Sequence, residues 1–257
     1  ANTGTHGGGS AGGAGGGVGA GGVVGAAADG IMPSSLAVAV PAPTPVVGGP
    51  KPFVGEVPLR ARVFSLQKLV EVAEYNMDIR SRVDWAGMWG VLAEHFAAVG
   101  SIKGNQSVSM YTIDCLRQLA LKFLTKDELQ NFNFQRTFLG PFEVIMKTSD
   151  SRAIRELVVR CVDALISSRA ENIRSGWRTL LAVLTAAAGD AADEVAQLAC
   201  GTIDRLVPEG LPLLRRNGGD LLAFLLAMSR CRLLDVALSG VGHVRWYARC
   251  LAGGSFD

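Results

Sequence analysis

Residues 84–100 read DWAGMWGVLAEHFAAVG and contain a clear helical pattern. Large apolar side chains recur there at helical spacing, so a helix places them on one face. They are Trp85, Met88, Trp89, Leu92, Phe96 and Val99. Asp84 is a suitable N-cap, and Gly100 is a suitable end. The segment therefore predicts an amphipathic helix that buries an aromatic face.

The same periodicity recurs along most of the chain. It predicts further helices over about residues 62–76, 107–124, 134–146, 150–165, 175–184 and 191–207, and two weaker ones at 219–229 and 231–251. We expect Pro141, which follows Gly140, to break or kink its helix, and Pro208 to end the helix before it. Ser149 or Asp150 is the expected N-cap of the helix that follows them.

The order of these helices predicts the fold class. No alternating strand pattern appears, and the connections are short, so neighbouring helices should lie antiparallel and stack. Helix pairs that repeat at roughly 40 residues are typical of HEAT and armadillo proteins, although no strong repeat motif is present here. The prediction is an all-α protein, an α-solenoid of HEAT/armadillo-like helix pairs.

Composition predicts three regions. The first fifty residues contain no Lys or Arg, a single acidic residue, Asp29, and a large share of the 32 glycines. Such a segment buries too little apolar surface to offset its ordering entropy. We therefore predict a disordered Gly/Ala/Pro-rich linker over 1–58, a helical repeat domain over 59–207, and a divergent repeat or poorly ordered end over 208–257. The chain starts at Ala1 without a signal-peptide pattern, which indicates a piece of a longer protein.

The overall charge and the cysteines exclude several functional classes. A net charge of +2 is too mild for a nucleic-acid partner, which usually shows a concentrated basic face. The cysteines are widely separated and odd in number, so a disulfide framework and a zinc site are both disfavoured. They are Cys115, Cys161, Cys200, Cys231 and Cys250. We expect reduced core thiols, and no stretch is long and apolar enough to cross a bilayer.

Motifs for catalysis or cofactor binding are also missing. Residues 17–22 match a dinucleotide-binding pattern only by chance, because no strand precedes them and no helix follows. His6, His95 and His243 are too dispersed for a metal site or a catalytic triad. We expect His95, beside Phe96, to be partly buried. The sequence predicts no catalytic residue, no cofactor and no metal.

A run of arginines in the middle of the chain is the candidate interaction surface. It comprises Arg152, Arg155, Arg160, Arg169, Arg174 and Arg178. These side chains could face acidic lipid headgroups or an acidic partner. Because Glu156, Asp163 and Glu171 are interleaved, they could equally form an ordinary solvated helix face. Both interpretations remain open at this stage.

Two other polar features have structural explanations. The acidic pairs Asp127–Glu128 and Asp193–Glu194 are expected in first helical turns, where they meet the positive end of the helix dipole. Residues 172–177, NIRSGW, place a glycine beside a tryptophan at a helix start. That pattern favours a tight corner between helices, closed by the aromatic ring.

Six runs, taken in order, resemble one protein family. They are 63–77 (VFSLQKLVEVAEYNM), 85–96 (WAGMWGVLAEHF), 114–124 (DCLRQLALKFL), 133–146 (NFQRTFLGPFEVIM), 154–161 (IRELVVRC) and 172–177 (NIRSGW). Together they resemble the large brefeldin-A-inhibited ARF guanine-nucleotide exchange factors, in the first homology region downstream of the catalytic exchange domain. The resemblance assigns a scaffold role to Trp85, Trp89, Arg117, Gln118, Phe123, Pro141, Phe142, Asn172, Ser175, Gly176 and Trp177.

The resemblance implies a function for the parent protein. Such factors are cytoplasmic, associate peripherally with trans-Golgi network or endosome membranes, and load ARF-type small GTPases with GTP. Their catalytic domain would lie upstream, so this chain would be non-catalytic. Its expected partners are an ARF-type GTPase, the anionic Golgi or endosome membrane surface, and flanking domains of the same polypeptide, with no nucleic acid. The alternatives are a purely structural spacer and a fragment with exchange activity of its own.

Two departures from the family pattern affect only part of the chain. One extra residue separates Asn76 from Trp85, which alters a loop, and a Gly-rich leader replaces the linker expected before the first helix. Beyond Leu206 the resemblance thins, so no role is assigned to the last fifty residues.

Overall fold

A computed structural model of the chain describes residues 59–128 and 132–253. Side chains are described from Val63 onward, except for residues 208–215. The predicted disorder of residues 1–58 lies outside the described residues.

The described residues form α-helices joined by short turns, and they contain no strand. The helices are α1 (Leu59–Ile79), α2 (Arg82–Gly100), α3 (Gln106–Phe123), α4 (Phe134–Thr148), α5 (Arg152–Arg169), α6 (Gly176–Ala188), α7 (Asp193–Leu214), α8 (Gly218–Ser229) and α9 (Leu234–Ala252). Two single 3₁₀ turns lie at Ala170–Asn172 and Arg215–Asn217. The two weaker predicted helices near the end correspond to α8 and α9.

The helices stack in two layers. Helices α1, α3, α5 and α7 pack side by side in one layer, and α2, α4, α6 and α8 pack in the other, while α9 closes against α8 and α7. In the second layer, α2 and α4 run parallel to each other. Trp89 of α2 stacks on Phe138 of α4 with ring centroids 4.0 Å apart, and Ser101 and Thr148, at the C-terminal ends of the two helices, share a hydrogen bond of 2.8 Å. The all-α solenoid is confirmed.

The core lies between the layers and uses the predicted apolar faces. Trp89 and Phe96 of α2 are fully buried, as are Leu180, Leu181 and Leu184 of α6. Phe123 stacks on Phe138 at 4.2 Å and extends the aromatic cluster into α3. Since burial of one such side chain contributes about 1.5–3 kcal/mol, this packing dominates the free energy of folding.

Several predicted helix boundaries are wrong. Ser81, not Asp84, caps α2, because its hydroxyl accepts a hydrogen bond from the Asp84 amide at 3.2 Å. Ser151, not Ser149 or Asp150, precedes α5. Asp84 occupies the third position of α2, where its carboxylate accepts a hydrogen bond from the Ser81 hydroxyl at 2.7 Å.

The two prolines do not stop their helices. Helix α4 runs through Pro141, and α7 continues past residue 208 to Leu214. Pro141 has no backbone N–H, so one helical hydrogen bond is missing. Its acceptor would be the Thr137 carbonyl, and because Thr137 is exposed, water can bond this carbonyl instead. Packing of α4 and α7 against several neighbours outweighs a local penalty of about 3 kcal/mol.

Candidate interaction surface

The first two of the six predicted arginines connect α5 to the next helix of its layer. Arg152 contacts Glu194 of α7 at 3.0 Å, and both side chains are largely exposed. Arg155 contacts Asp190, in the turn before α7, through two nitrogen–oxygen pairs of 2.6 and 3.0 Å. These two residues hold neighbouring helices together.

The Arg155–Asp190 pair is buried and well bonded. The arginine side chain is 16% exposed and the aspartate 5%. A third donor of the guanidinium bonds the Ser149 carbonyl at 3.0 Å, and the carboxylate also accepts from the Ala192 amide at 2.8 Å. Hydrogen bonding to Asp190 raises the pKa of Arg155, so its charge is permanent. Arg155 is therefore unavailable to an external partner.

Arg160 and Arg169 lie further along α5. Arg160 pairs with Glu156 one turn earlier at 2.7 Å, on the exposed side of the helix, as its i,i+4 spacing predicts. Arg169 lies in the last turn, and its Nε is buried with no hydrogen-bond partner in the part of the chain that the structure describes. The six arginines therefore do not form one continuous face.

The turns α1–α2, α3–α4 and α5–α6 meet along one rim of the stack. We call residues 79–83, 124–128, 132–136 and 170–178 the turn rim. Lys126 Nζ donates to the Met77 carbonyl at 2.7 Å, and the Arg82 guanidinium donates to the Asp127 carbonyl. Asn172 Nδ2 donates to the Leu124 carbonyl at 2.8 Å. Each turn is thus bonded to the next.

Glu128 caps two helices at this rim. One carboxylate oxygen accepts from the Gln135 amide of α4 at 2.9 Å and from the Ser175 hydroxyl at 2.6 Å. The other accepts from the Ser175 amide at the start of α6 at 2.9 Å. The Ser175 hydroxyl in turn accepts from the Arg136 amide at 3.1 Å. A single anion thus meets the positive ends of two helix dipoles, although Glu128 precedes α4 instead of lying in a first turn as predicted.

Gln135 completes the corner between α4 and α6. Its side chain is fully buried, donates to the Asn172 carbonyl at 2.9 Å, and accepts from the Arg174 amide at 2.7 Å. Gly176 allows the close approach of the two helices there, since a Cβ atom would lie 2.9 Å from Leu139 Cδ1 and 3.3 Å from Gln135 Oε1 and would force these side chains to shift. The tight corner expected of NIRSGW is present. Gln135 was not singled out from the sequence, because no local pattern distinguishes a buried glutamine, and Glu128 was expected only in a first helical turn.

Three arginines lie together at this corner. Arg136, Arg174 and Arg178 are exposed, and the ion pairs found among the described residues include none of them. Arg174 is adjacent to Ser175, which bonds the Arg136 amide, and Arg178 is adjacent to Thr179, whose hydroxyl donates to the Arg136 carbonyl at 3.1 Å. Sequence reasoning included Arg174 and Arg178 but missed Arg136, which is distant in the chain.

The remaining motif residues lie in the core or on the polar side of a helix. Trp85, Trp89, Pro141, Phe142 and Trp177 are buried. Arg117 and Gln118 both bond Asp114 of the same helix, at 2.7 Å each, and thereby organise the polar side of α3. Motif residues therefore serve the core and the corners.

Comparison with known proteins places this corner within a region shared by a sequence family. The sequence family described as Mon2/Sec7/BIG1-like, HDS matches residues 122–205, from the end of α3 into α7. Residues 122–205 of the chain belong to this HDS family. The match is to the HDS region and contains the turn rim from Leu124 to Arg178.

Relatives of the chain are large guanine nucleotide-exchange proteins. The chain is 39% identical over 202 residues to brefeldin A-inhibited guanine nucleotide-exchange protein 1 of Arabidopsis thaliana. The aligned region covers 77% of this chain and 12% of the relative. It is 47% identical over 146 residues to the protein of the same name in Homo sapiens, and this alignment covers 57% of the chain and 8% of the relative. The chain therefore spans a small part of the relatives it matches.

Among the described residues, no helix is long and apolar enough to cross a membrane, and no cluster of His, Cys, Asp and Glu could hold a metal ion. His95 is exposed, so its predicted partial burial is wrong: it is turned about 100° around α2 from the buried Phe96. His243 of α9 contacts Asp204 of α7 at 2.6 Å, and His6 lies outside the described residues.

The cysteines follow the prediction of core thiols in part. Cys115, Cys161 and Cys200 are buried, whereas Cys231 and Cys250 are half-buried, and all five are free. Burial raises the pKa of Cys115 to about 11 and that of Cys161 to about 12, so both are neutral thiols at physiological pH.

Proposed function

We propose that this chain is a non-catalytic helical scaffold segment of an ARF guanine-nucleotide exchange factor that acts in Golgi and endosomal vesicle-mediated transport. The observation that carries this proposal is the match of the α3–α7 stack to the HDS family, together with relatives that are exchange proteins. In this proposal the exchange activity belongs to another part of the longer polypeptide.

The scaffold contributes membrane recruitment, autoregulation or contact with the GTPase. Its partners are an ARF-type small GTPase, the anionic surface of trans-Golgi network or endosome membranes, and flanking domains of the same polypeptide. In the cell it is cytoplasmic and peripherally bound to these membranes. The bonded turn rim supports a rigid platform, because each turn is tied to its neighbours by hydrogen bonds, most of them partly buried.

Retention of ARF by the full 257-residue chain in lipid-free buffer tests the GTPase contact. We expect the immobilised chain to retain ARF loaded with GTP in preference to ARF loaded with GDP. Equal retention of the two forms, or no retention of either, would overturn this part of the proposal.

A second assay tests the non-catalytic role. Nucleotide release from ARF is measured with and without the chain, and we expect the uncatalysed rate in both. Acceleration that rises with chain concentration would show that the fragment is itself an exchange factor.

The alternative is a purely structural spacer within the same exchange factor. It is favoured by Arg152 and Arg155, which use their charge to join α5 to α7. Charge reversal of exposed arginines separates the two functions, since a spacer tolerates such changes. Arg155 is unsuitable for this test because its replacement would disturb the fold.

A further inference from the structure

The turn rim concentrates positive charge at the corner of α4 and α6. Arg136, Arg174 and Arg178 are exposed and backbone contacts bring them together. Both helices begin here, and the Glu128 carboxylate already meets the positive ends of their dipoles. Glu128 therefore offsets the helix dipoles, and the positive charge of the corner comes from the three exposed arginines, which form no ion pair among the described residues.

The rest of the rim adds exposed aliphatic side chains. Ile79 and Val83, at the α1–α2 turn, are 55% and 72% exposed. They flank Arg80 and Arg82, whose side chains are also exposed, and Arg82 connects this turn to the α3–α4 turn through the Asp127 carbonyl. Exposed aliphatic groups beside unpaired arginines are the combination by which peripheral proteins enter the headgroup region of a bilayer.

We infer that the turn rim is the membrane-contacting surface of this scaffold. Arg136, Arg174 and Arg178 bind anionic lipid headgroups, and Ile79 and Val83 insert at the boundary between headgroups and acyl chains. A purely polar acidic partner would use only the arginines, whereas a bilayer also accommodates the two aliphatic side chains, which are separated from them along the rim. This inference rests on the proposed recruitment to membranes and assigns it to a surface different from α5.

Vesicle flotation of the full chain tests the arginines. Vesicles of phosphatidylcholine alone are compared with vesicles in which a third of the lipid is phosphatidylserine. We expect binding only to the second kind. The triple change Arg136→Glu, Arg174→Glu and Arg178→Glu should lower the partition coefficient by at least about 100-fold, since each arginine near such a surface contributes roughly fivefold.

A matched triple on the opposite rim controls for net charge. Lys103→Glu, Lys147→Glu and Arg230→Glu change the net charge equally but lie at the α2–α3 turn, the end of α4 and the end of α8. This variant should keep at least a third of the wild-type partition coefficient. Equal losses in the two triples would show a non-specific charge effect and overturn the inference. Circular dichroism melting confirms that both triples fold.

The aliphatic residues distinguish a membrane from an acidic protein. The pair Ile79→Ser and Val83→Ser should lower binding to phosphatidylserine vesicles by roughly tenfold or more. The inference is wrong if the serine pair leaves vesicle binding unchanged and a polyglutamate peptide binds the wild type but not the variant with three arginines replaced. The rim would then be a surface for an acidic protein. Absence of vesicle binding by the wild type also overturns the inference, whereas the lipid-free ARF assay judges the proposed GTPase contact separately.

Discussion

Arginines of similar appearance in the sequence have different roles at the residue scale. Arg155 is nearly buried against Asp190, Arg160 pairs with Glu156 in solvent, and Arg174 has an exposed side chain at the turn rim. The effect of each ion pair on the free energy of unfolding depends on burial. Loss of one partner from a buried pair is strongly destabilising, because the remaining charge has no counter-ion, whereas an exposed pair contributes little. Position in space, and not residue type, therefore assigns each arginine to the fold or to the surface.

Replacement of Arg155 tests this distinction. Arg155→Ala leaves the Asp190 carboxylate buried without its counter-ion, so we expect the free energy of unfolding to fall by about 3 kcal/mol. Arg160→Ala removes only an exposed i,i+4 pair and should lower it by less than about 0.5 kcal/mol. Urea denaturation of both variants provides the measurement. Equal effects would mean that the Arg155–Asp190 pair is not an interhelical support.

At the scale of single helices, apolar periodicity located each element, but the ends were less predictable. The predicted inward face of α5 is buried at Ile154, Val158, Cys161 and Leu165. Its start was misplaced, because Ser149, Asp150 and Ser151 are all suitable caps by residue type. Likewise α4 passes through Pro141, since packing of the whole helix exceeds one lost hydrogen bond. Local signals locate helices better than they delimit them.

The two serine caps provide a matched test. Ser81→Ala removes the hydroxyl that accepts from the Asp84 amide, and we expect a loss of about 1 kcal/mol. The side chain of Ser151 makes no capping hydrogen bond to α5, so Ser151→Ala should change the free energy of unfolding by less than about 0.5 kcal/mol. Thermal or urea unfolding distinguishes them, and a larger effect at Ser151 would contradict this cap assignment.

At the scale of the whole molecule, each inner helix packs against neighbours on both sides, as in other repeat arrays. Among the described residues, the first and last helices have helical neighbours on one side only. In α1, Phe64 and Tyr75 are mostly exposed, and in α9 Leu234, Leu238 and Val241 are mostly exposed. Stability should therefore vary along the stack, with the inner helices opening least often.

Hydrogen exchange of the full chain measures that gradient. We expect the slowest amide exchange in α4, α5 and α6, and the fastest among the helices in α1 and α9. Exchange followed by mass spectrometry of peptides resolves the individual helices. Exchange in α1 as slow as in α5 would show that another part of the chain covers its exposed side.

The candidate surface was only partly predictable from the sequence. The family motifs located the scaffold side chains, and Trp89, Phe142 and Trp177 lie in the core accordingly. The arginine run, in contrast, mixed residues that the fold separates, and it omitted Arg136, which contacts Ser175 from 39 positions away. A linear pattern contains no information about which turns share a rim.

The sequence by itself determined the all-α class, the position of each helix and its buried face, because helical periodicity is a local property of 3.6 residues per turn. Only the tertiary structure decided which arginines are paired, which serines cap, and that Glu128 and Gln135 join α4 to α6. These outcomes depend on distances between residues far apart in the chain and on burial. Both are set by how the helices stack, since the strength of a charge pair or hydrogen bond changes with its surroundings.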